Sequence, residues 1–131
     1  FLAGLVFAEA GSGLHHKICH ALGGAFDLTH AGTHTVILPT VLRFNAPAVP
    51  EAAAAIAEAL GSTDAADGLE ALVVEMGAPR SLRDVGLGQG DLQAAVDVVA
   101  EKLPIENPRA VTRADLQRIL TGTVDRKDDL K

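Results

Sequence analysis

The sequence predicts an all-α domain, a helical array of about six or seven helices. Three observations carry that expectation. Hydrophobic residues make up 48% of the chain but aromatics only 3%, with no Trp or Tyr. The core must therefore be built from Ala, Leu, Val and Ile, a set that suits packed helices. No segment alternates polar and apolar residues with the period of two that a half-buried strand needs. Apolar residues recur instead at three- and four-residue steps, punctuated by capping residues, glycines and prolines. At 131 residues the chain is one domain, too short for a nucleotide-binding domain plus a substrate domain.

Phe1 to about Ala10 reads as a buried helix that begins without a capping residue, as a piece of something longer would. Gly11-Ser12-Gly13 interrupts it, and Ser12 is placed to cap a second helix reaching about Leu22, where Gly23-Gly24 is expected to stop it. After AFDL, Thr29 can cap a third helix from His30 to about Phe44. Pro39 inside it removes one backbone donor and should kink the axis; Asn45, Ala46 and Pro47 end it. PEAAAAIAEALG, residues 50–61, has Pro in its first turn, an alanine-rich body and Gly61 as a stop.

The next helix spans about Ala65 to Met76, with Leu69, Leu72, Val73 and Met76 as its apolar stripe. GAPRSLRDVGLGQG reads as a loop with at most one short turn. Asp91 is placed to cap LQAAVDVVAEKL, which Pro104 closes. In VTRADLQRIL, Thr112 and Asp115 have the spacing of a capping box, with Asp for the usual Glu. Leu116, Ile119 and Leu120 form the buried stripe. DRKDDLK is a charged, frayed end.

Charge excludes one class of partner. The formal net charge is -6 and the basic residues are scattered, so no stripe is available to neutralise phosphates; nucleic acid is not expected as a partner. The single Cys19 can form no intrachain disulfide, which points to a reducing cytoplasm. FLAGLVFA is apolar for only eight residues without a basic segment before it, so neither a signal peptide nor a membrane span is expected.

All five histidines lie in GLHHKICHALGGAFDLTHAGTH, residues 13–34. Residues four apart share a helix face, so His16 pairs with His20, and His30 with His34. Whether the two pairs address one point depends on how the helices pack. The glycines and the short connection from Leu22 to Thr29 make them neighbours and convergence plausible. Three or four imidazoles together bind Fe or Zn when neutral, or bind carboxylates and pass protons when protonatable. A lone His on an amphipathic helix is ordinarily a boundary residue satisfied by a neighbour; five within this span favour a functional cluster, and spacing leaves its metal and metal-free forms open.

These residues carry a resemblance. GLHHKICHALGGAFDLTHAGTHTVILPTVLRFN, with LRDVGL and NPRAVTRADLQRIL, resembles the carboxyl-terminal half of the iron-containing alcohol dehydrogenase family, a dehydroquinate synthase-like helical domain, over essentially the whole chain. Within that family the doubled His15-His16, Lys17 and His34 resemble the maleylacetate reductase branch. The resemblance implies as metal ligands His16, from a G-x-x-H-x-x-x-H segment, and His30, which follows about a dozen residues later, with Fe or Zn as the ion. An Asp and a His that complete the set in the family precede this segment and have no counterpart here. His20 matches the histidine beside the nicotinamide that handles substrate or proton, so the resemblance makes it both cofactor-binding and catalytic. Thr29-His30-Ala31 stands where metal-dependent members have Pro-His-Gly.

The implied reaction is NADH- or NADPH-dependent reduction of the carbon–carbon double bond of maleylacetate to 3-oxoadipate, in bacterial breakdown of aromatic compounds. His20 would polarise the oxo group or pass the proton, and His15, His30 and His34 would help hold the carboxylates of this small dicarboxylate. The amino end of the helix after Thr29 adds backbone donors for an anion. An upstream nucleotide-binding α/β domain is implied, as is a homodimer, and this chain alone should be inactive. Two other functions compete: a metal-dependent alcohol dehydrogenase of the same family, and a non-catalytic helical module that binds a metal or a partner.

Other features carry less chemistry. GLGQG, 86–90, lacks the preceding strand of a phosphate loop and reads as a helix-linking turn. Cys19 reads as a packing residue and Asp27 as a turn residue rather than a fifth ligand. Arg80 and Arg83 could reach a substrate carboxylate, but structural or exposed roles suit a loop better.

Overall fold

The computed structural model describes residues 12–125, which form six α-helices and one 3-10 turn. They are α1 (Leu14–Phe26), α2 (His30–Asn45), the 3-10 turn Ala46–Ala48, α3 (Pro50–Ala59), α4 (Ala65–Glu75), α5 (Leu92–Ala100) and α6 (Arg113–Val124). No strand occurs among the described residues. The helix expected over Phe1–Ala10 and the charged end after Asp125 lie outside them.

α1, α2, α5 and α6 close a ring of packed helices: α1 lies against α2 and α5, and α6 against α5 and α2. The core between them is aliphatic. Leu14, Ile18 and Leu22 line one face of α1 at four-residue steps and are fully buried with Ile37, Val96, Val99, Leu116 and Leu120. Cys19 is buried on the same helix, and desolvation pushes its thiol up to about 12, as suits a packing residue and not a nucleophile. α4 packs on the outside of α2, and α3 on α4. Arg43 of α2 fastens that layer with ion pairs to Asp67 at 2.9 Å and Glu70 at 3.0 Å.

Several helix ends depart from expectation. Gly13, not Ser12, occupies the N-cap of α1, and no side chain caps it. α1 runs through Gly23-Gly24 and stops at Asp27, whose φ of 51° and ψ of 39° place it in the left-handed region that ends helices. Burial of Leu22 and packing of Phe26 against the core hold the last turn across two poor helix formers. Asp27 is thus a turn residue. Asp91 sits at the N-cap of α5 without donating or accepting a capping bond, and that helix ends at Ala100. The capping box of α6 is complete: the Thr112 hydroxyl accepts from the Asp115 N–H at 3.2 Å while the Asp115 carboxylate accepts from the Thr112 N–H at 2.9 Å.

The stretch between α4 and α5 is more than a surface loop. Leu82, Val85 and Leu87 are buried in the core, and the Leu82 N–H donates to the Thr123 carbonyl at 2.8 Å. Gly86–Gly90 links helices through turns, as read from its lack of a preceding strand. Arg83 pairs with Asp125, so its guanidinium ties the loop to the end of α6. The α4 stripe is only partly core: Val73 is buried, while Leu72 and Met76 are 37% and 62% exposed. No helix among the described residues is long and apolar enough to cross a membrane.

Candidate active site: a five-histidine cluster between α1 and α2

Only residues 27–29 separate α1 from α2, so the two helices return along each other as an antiparallel pair. Each carries two histidines one turn apart, and the antiparallel register sets them opposite one another. The His16 ring lies 4.8 Å from the His34 ring, and His20 lies 6.0 Å from His30, centroid to centroid. Along the helices, His16 and His20 are 5.9 Å apart and His30 and His34 are 4.4 Å apart. The four rings form a quadrilateral. His15 joins at one corner, 4.8 Å from His34 and 5.5 Å from His16. The two same-face pairs expected from spacing therefore converge.

The inner faces of both helices are held by apolar burial of Leu14, Ile18 and Leu22 on one side and Val36 and Ile37 on the other. Gly32 permits α2 to approach the loop: a Cβ there would sit 2.6 Å from Val85 Cγ1 and 2.6 Å from Thr29 Oγ1. Thr29 is the N-cap of α2 by position, but its hydroxyl makes no capping bond. Its carbonyl accepts from the Thr33 N–H at 2.9 Å and the Thr33 hydroxyl at 2.8 Å, which fixes the first turn carrying His30 and His34. His15, His16 and His34 are half-buried; His20 and His30 are exposed.

His15 Nε2 lies 3.1 Å from the His34 carbonyl oxygen. A carbonyl only accepts, so the ring donates from Nε2 and keeps the lone pair of a neutral imidazole on Nδ1. Burial lowers the His15 pKa, the hydrogen bond to His34 opposes this, and the neighbouring His16 lowers it further. His34 is lowered to about 4, first by desolvation and then by His15, His30, His16 and His20. These two rings are neutral at physiological pH, so they meet an anion as N–H donors and not as standing cations. His34 Nε2 is buried with no hydrogen-bond partner.

One nitrogen each from His15, His16 and His34 lies within 4.8 Å of the other two. An orphaned ring nitrogen, a ring that burial keeps neutral and whose tautomer a backbone bond fixes, and a third imidazole fit a divalent borderline metal. His30 reaches this group through His34, and His20 through His16 and His30. Sequence spacing pairs His16 with His20 and His30 with His34, and it is the family resemblance that singles out His16 with His30; spacing carries no signal for the adjacency of His15 and His16 to His34, because that depends on the register between helices. Cys19 faces the core, and Arg83 is engaged by Asp125.

The model of the Fe-containing alcohol dehydrogenase family, C-terminal, matches residues 1–124. The chain belongs to this family. Among its members, maleylacetate reductase 1 of Rhodococcus opacus is 43% identical over 120 residues, covering 92% of this chain and 33% of that protein. The crystal structure of an iron-containing alcohol dehydrogenase from Corynebacterium glutamicum superposes with a TM-score of 0.80 at 50% identity, covering 91% of this chain and 33% of that one. Maleylacetate reductase from a Rhizobium species superposes with a TM-score of 0.80 at 38% identity, covering 87% of this chain and 32% of that one. The chain spans about a third of the length of the family members it matches.

Proposed function

We propose that this chain is the helical part of an NADH- or NADPH-dependent maleylacetate reductase, with the histidine cluster as its substrate site. The observation that carries the reading is the convergence of all five imidazoles, His15 and His34 included, in a chain 43% identical to a maleylacetate reductase. The nucleotide-binding domain is contributed by the remainder of the protein, and the helical part alone neither binds dinucleotide nor turns over. The protein acts in the cytoplasm, as a homodimer, in the breakdown of aromatic compounds.

The substrate has two carboxylates and an oxo group conjugated to its alkene. A dihydronicotinamide bound by the rest of the protein would supply the hydride, which the conjugated oxo group directs to the alkene carbon farther from it. The alkene electron pair shifts to make an enolate, and a proton then adds at the carbon next to the oxo group, giving 3-oxoadipate. Transition-state stabilisation requires a hydrogen-bond donor or proton at the oxo oxygen, where charge develops. His20, exposed and set between His16 and His30, is the group for this task and would stand beside the nicotinamide. His15, His30 and His34 hold the carboxylates. Entry of an anion raises the pKa of each neutral ring it touches, so the site gains positive charge where the substrate brings negative charge.

A second reading, a metal-dependent alcohol dehydrogenase, is favoured by the 50% identity to the iron-containing enzyme of C. glutamicum. In it His16 and His30 would hold Fe or Zn with further ligands from outside this chain, a group that would supply Lewis-acid polarisation of an alcohol or carbonyl oxygen.

The test is a paired assay of the full-length protein: oxidation of NADH or NADPH with maleylacetate, against reduction of NAD+ or NADP+ with primary alcohols, each with and without chelator. Reduced-cofactor oxidation by maleylacetate is the expected result. Turnover confined to alcohols and abolished by chelator would establish the second reading instead.

A further inference from the structure

We propose that an apolar groove between α2 and α4 seats an apolar face of the upstream part of the same polypeptide, in a contact that adjoins the histidine site. The proposal rests on the reading of this chain as the helical part of a longer enzyme. Leu38 and Pro39 of α2 line the groove with Leu69, Leu72 and Met76, from α4 and its C-cap. Leu69, Leu72, Val73 and Met76 recur at three- and four-residue steps, the pattern of a helix face that packs against something. Within the described residues only Val73 of that face is buried. Leu38, Leu72 and Met76 are 40%, 37% and 62% exposed, so the face lacks its cover.

The chemistry of the groove limits the occupant. No charged side chain lines it, and Thr35, which does, donates its hydroxyl to the Ala31 carbonyl at 2.9 Å and has no proton left to offer. An occupant therefore meets apolar surface. The volume is about 190 Å3, below the roughly 300–1,000 Å3 of small-molecule sites, so the groove takes protein side chains and not a substrate or a nucleotide. The flexible thioether of Met76 can adapt to what packs on it.

Position names the occupant. Leu38 follows His34 by four residues, so the groove begins one turn of α2 beyond the cluster, on the same side of the helix. This chain covers 33% of the R. opacus protein, which leaves about two-thirds of such an enzyme to be placed against it. A nucleotide-binding half that presents a nicotinamide to His20 has to lie over the first turns of α2. The groove starts where those turns end, and a second copy of the chain is under no such requirement.

The experiment uses the full-length protein without substrate or nucleotide. Photo-methionine replaces Met76, the only methionine of these 131 residues, with little change of shape. After illumination, mass spectrometry should find the peptide bearing residue 76 joined to one that precedes Phe1, in a species that keeps the mass of a single chain on a denaturing gel. Independently, Met76→Cys should react with a maleimide at least about tenfold more slowly in the native protein than in urea. On an open groove a side chain 62% exposed would react at nearly the urea rate. Circular dichroism checks that the variant is folded. No upstream cross-link, cross-links confined to a species of doubled mass, or equal labelling rates would overturn the proposal, the doubled mass assigning the groove to a second copy. Neither readout involves turnover. Activity with maleylacetate beside a freely labelled position 76 removes the contact and keeps the reductase reading; a protected position 76 in a protein without that activity does the reverse.

Discussion

The His15 ring donates from Nε2 to the backbone carbonyl of His34, 3.1 Å away, and so ties the first turn of α1 to the second turn of α2. The bond does two things at once. It fixes the tautomer of His15, and it holds the two histidine-bearing turns in register. His15→Ala should lower the unfolding free energy by about 0.5–1.5 kcal/mol, the range for a net hydrogen bond. Urea unfolding with an unchanged slope and a lower midpoint is the expected result. A midpoint equal to the parent's would mean that the tether contributes nothing.

Two glycines in the site's helices should respond to alanine with opposite signs. At Gly32 a new Cβ meets Val85 Cγ1 and Thr29 Oγ1 at 2.6 Å, and Val85 is buried and cannot retreat. Gly32→Ala should cost about 1–3 kcal/mol despite alanine's better helix propensity, and should displace His30 and His34 with the first turns of α2. At Gly24 nothing lies within 4 Å of the added carbon, so Gly24→Ala should stabilise by about 0.5–1 kcal/mol. Thermal melts of both variants decide the matter, and a shared sign would contradict the packing argument.

What the sequence makes legible is what local chemistry fixes. The Thr112–Asp115 box depends on residues three apart and is readable without knowing the rest of the fold. The end of α1 is not, because glycines that weaken a helix are overruled by the packing of Leu22 and Phe26, and the reversal falls to Asp27. Leu82, Val85 and Leu87 have no helical period and read as a loop; the neighbouring helices bury them. The same division holds in the site. Spacing gives two same-face pairs. Only the antiparallel register puts His34 against both His15 and His16, with Nε2 shut away from water.

The capping box makes part of the fold's stability acid-sensitive. The Thr112 hydroxyl foremost, then its N–H, with Arg118 adding to them, lower the Asp115 carboxyl from 3.8 to about 2. A carboxyl depressed in the folded state contributes stability that is fully present above its unfolded pKa and is lost as pH falls from about 3.8 towards 2. Thr112→Ala removes the largest of these contacts. It should cost about 1 kcal/mol at neutral pH and flatten the acid loss in that window. Denaturant midpoints measured from neutral pH down through the window test both parts; a parallel acid profile in the variant would refute the assignment to Thr112.

His20 is the sharpest test of the proposed chemistry. It is exposed, and it occupies the quadrilateral between His16 at 5.9 Å and His30 at 6.0 Å, at the end away from His15. Removing a group that donates to the developing enolate oxygen should lower kcat for maleylacetate by about 100-fold or more, with a smaller change in nucleotide affinity. His20→Ala in the full-length protein tests the loss, and His20→Gln separates its two forms. A glutamine amide can still donate a hydrogen bond to the oxo oxygen but cannot pass a proton at neutral pH. Partial recovery of kcat in His20→Gln therefore assigns polarisation, and no recovery assigns proton transfer. Unchanged turnover in His20→Ala would remove His20 from the reaction and return the role to His30, the other exposed ring of the cluster.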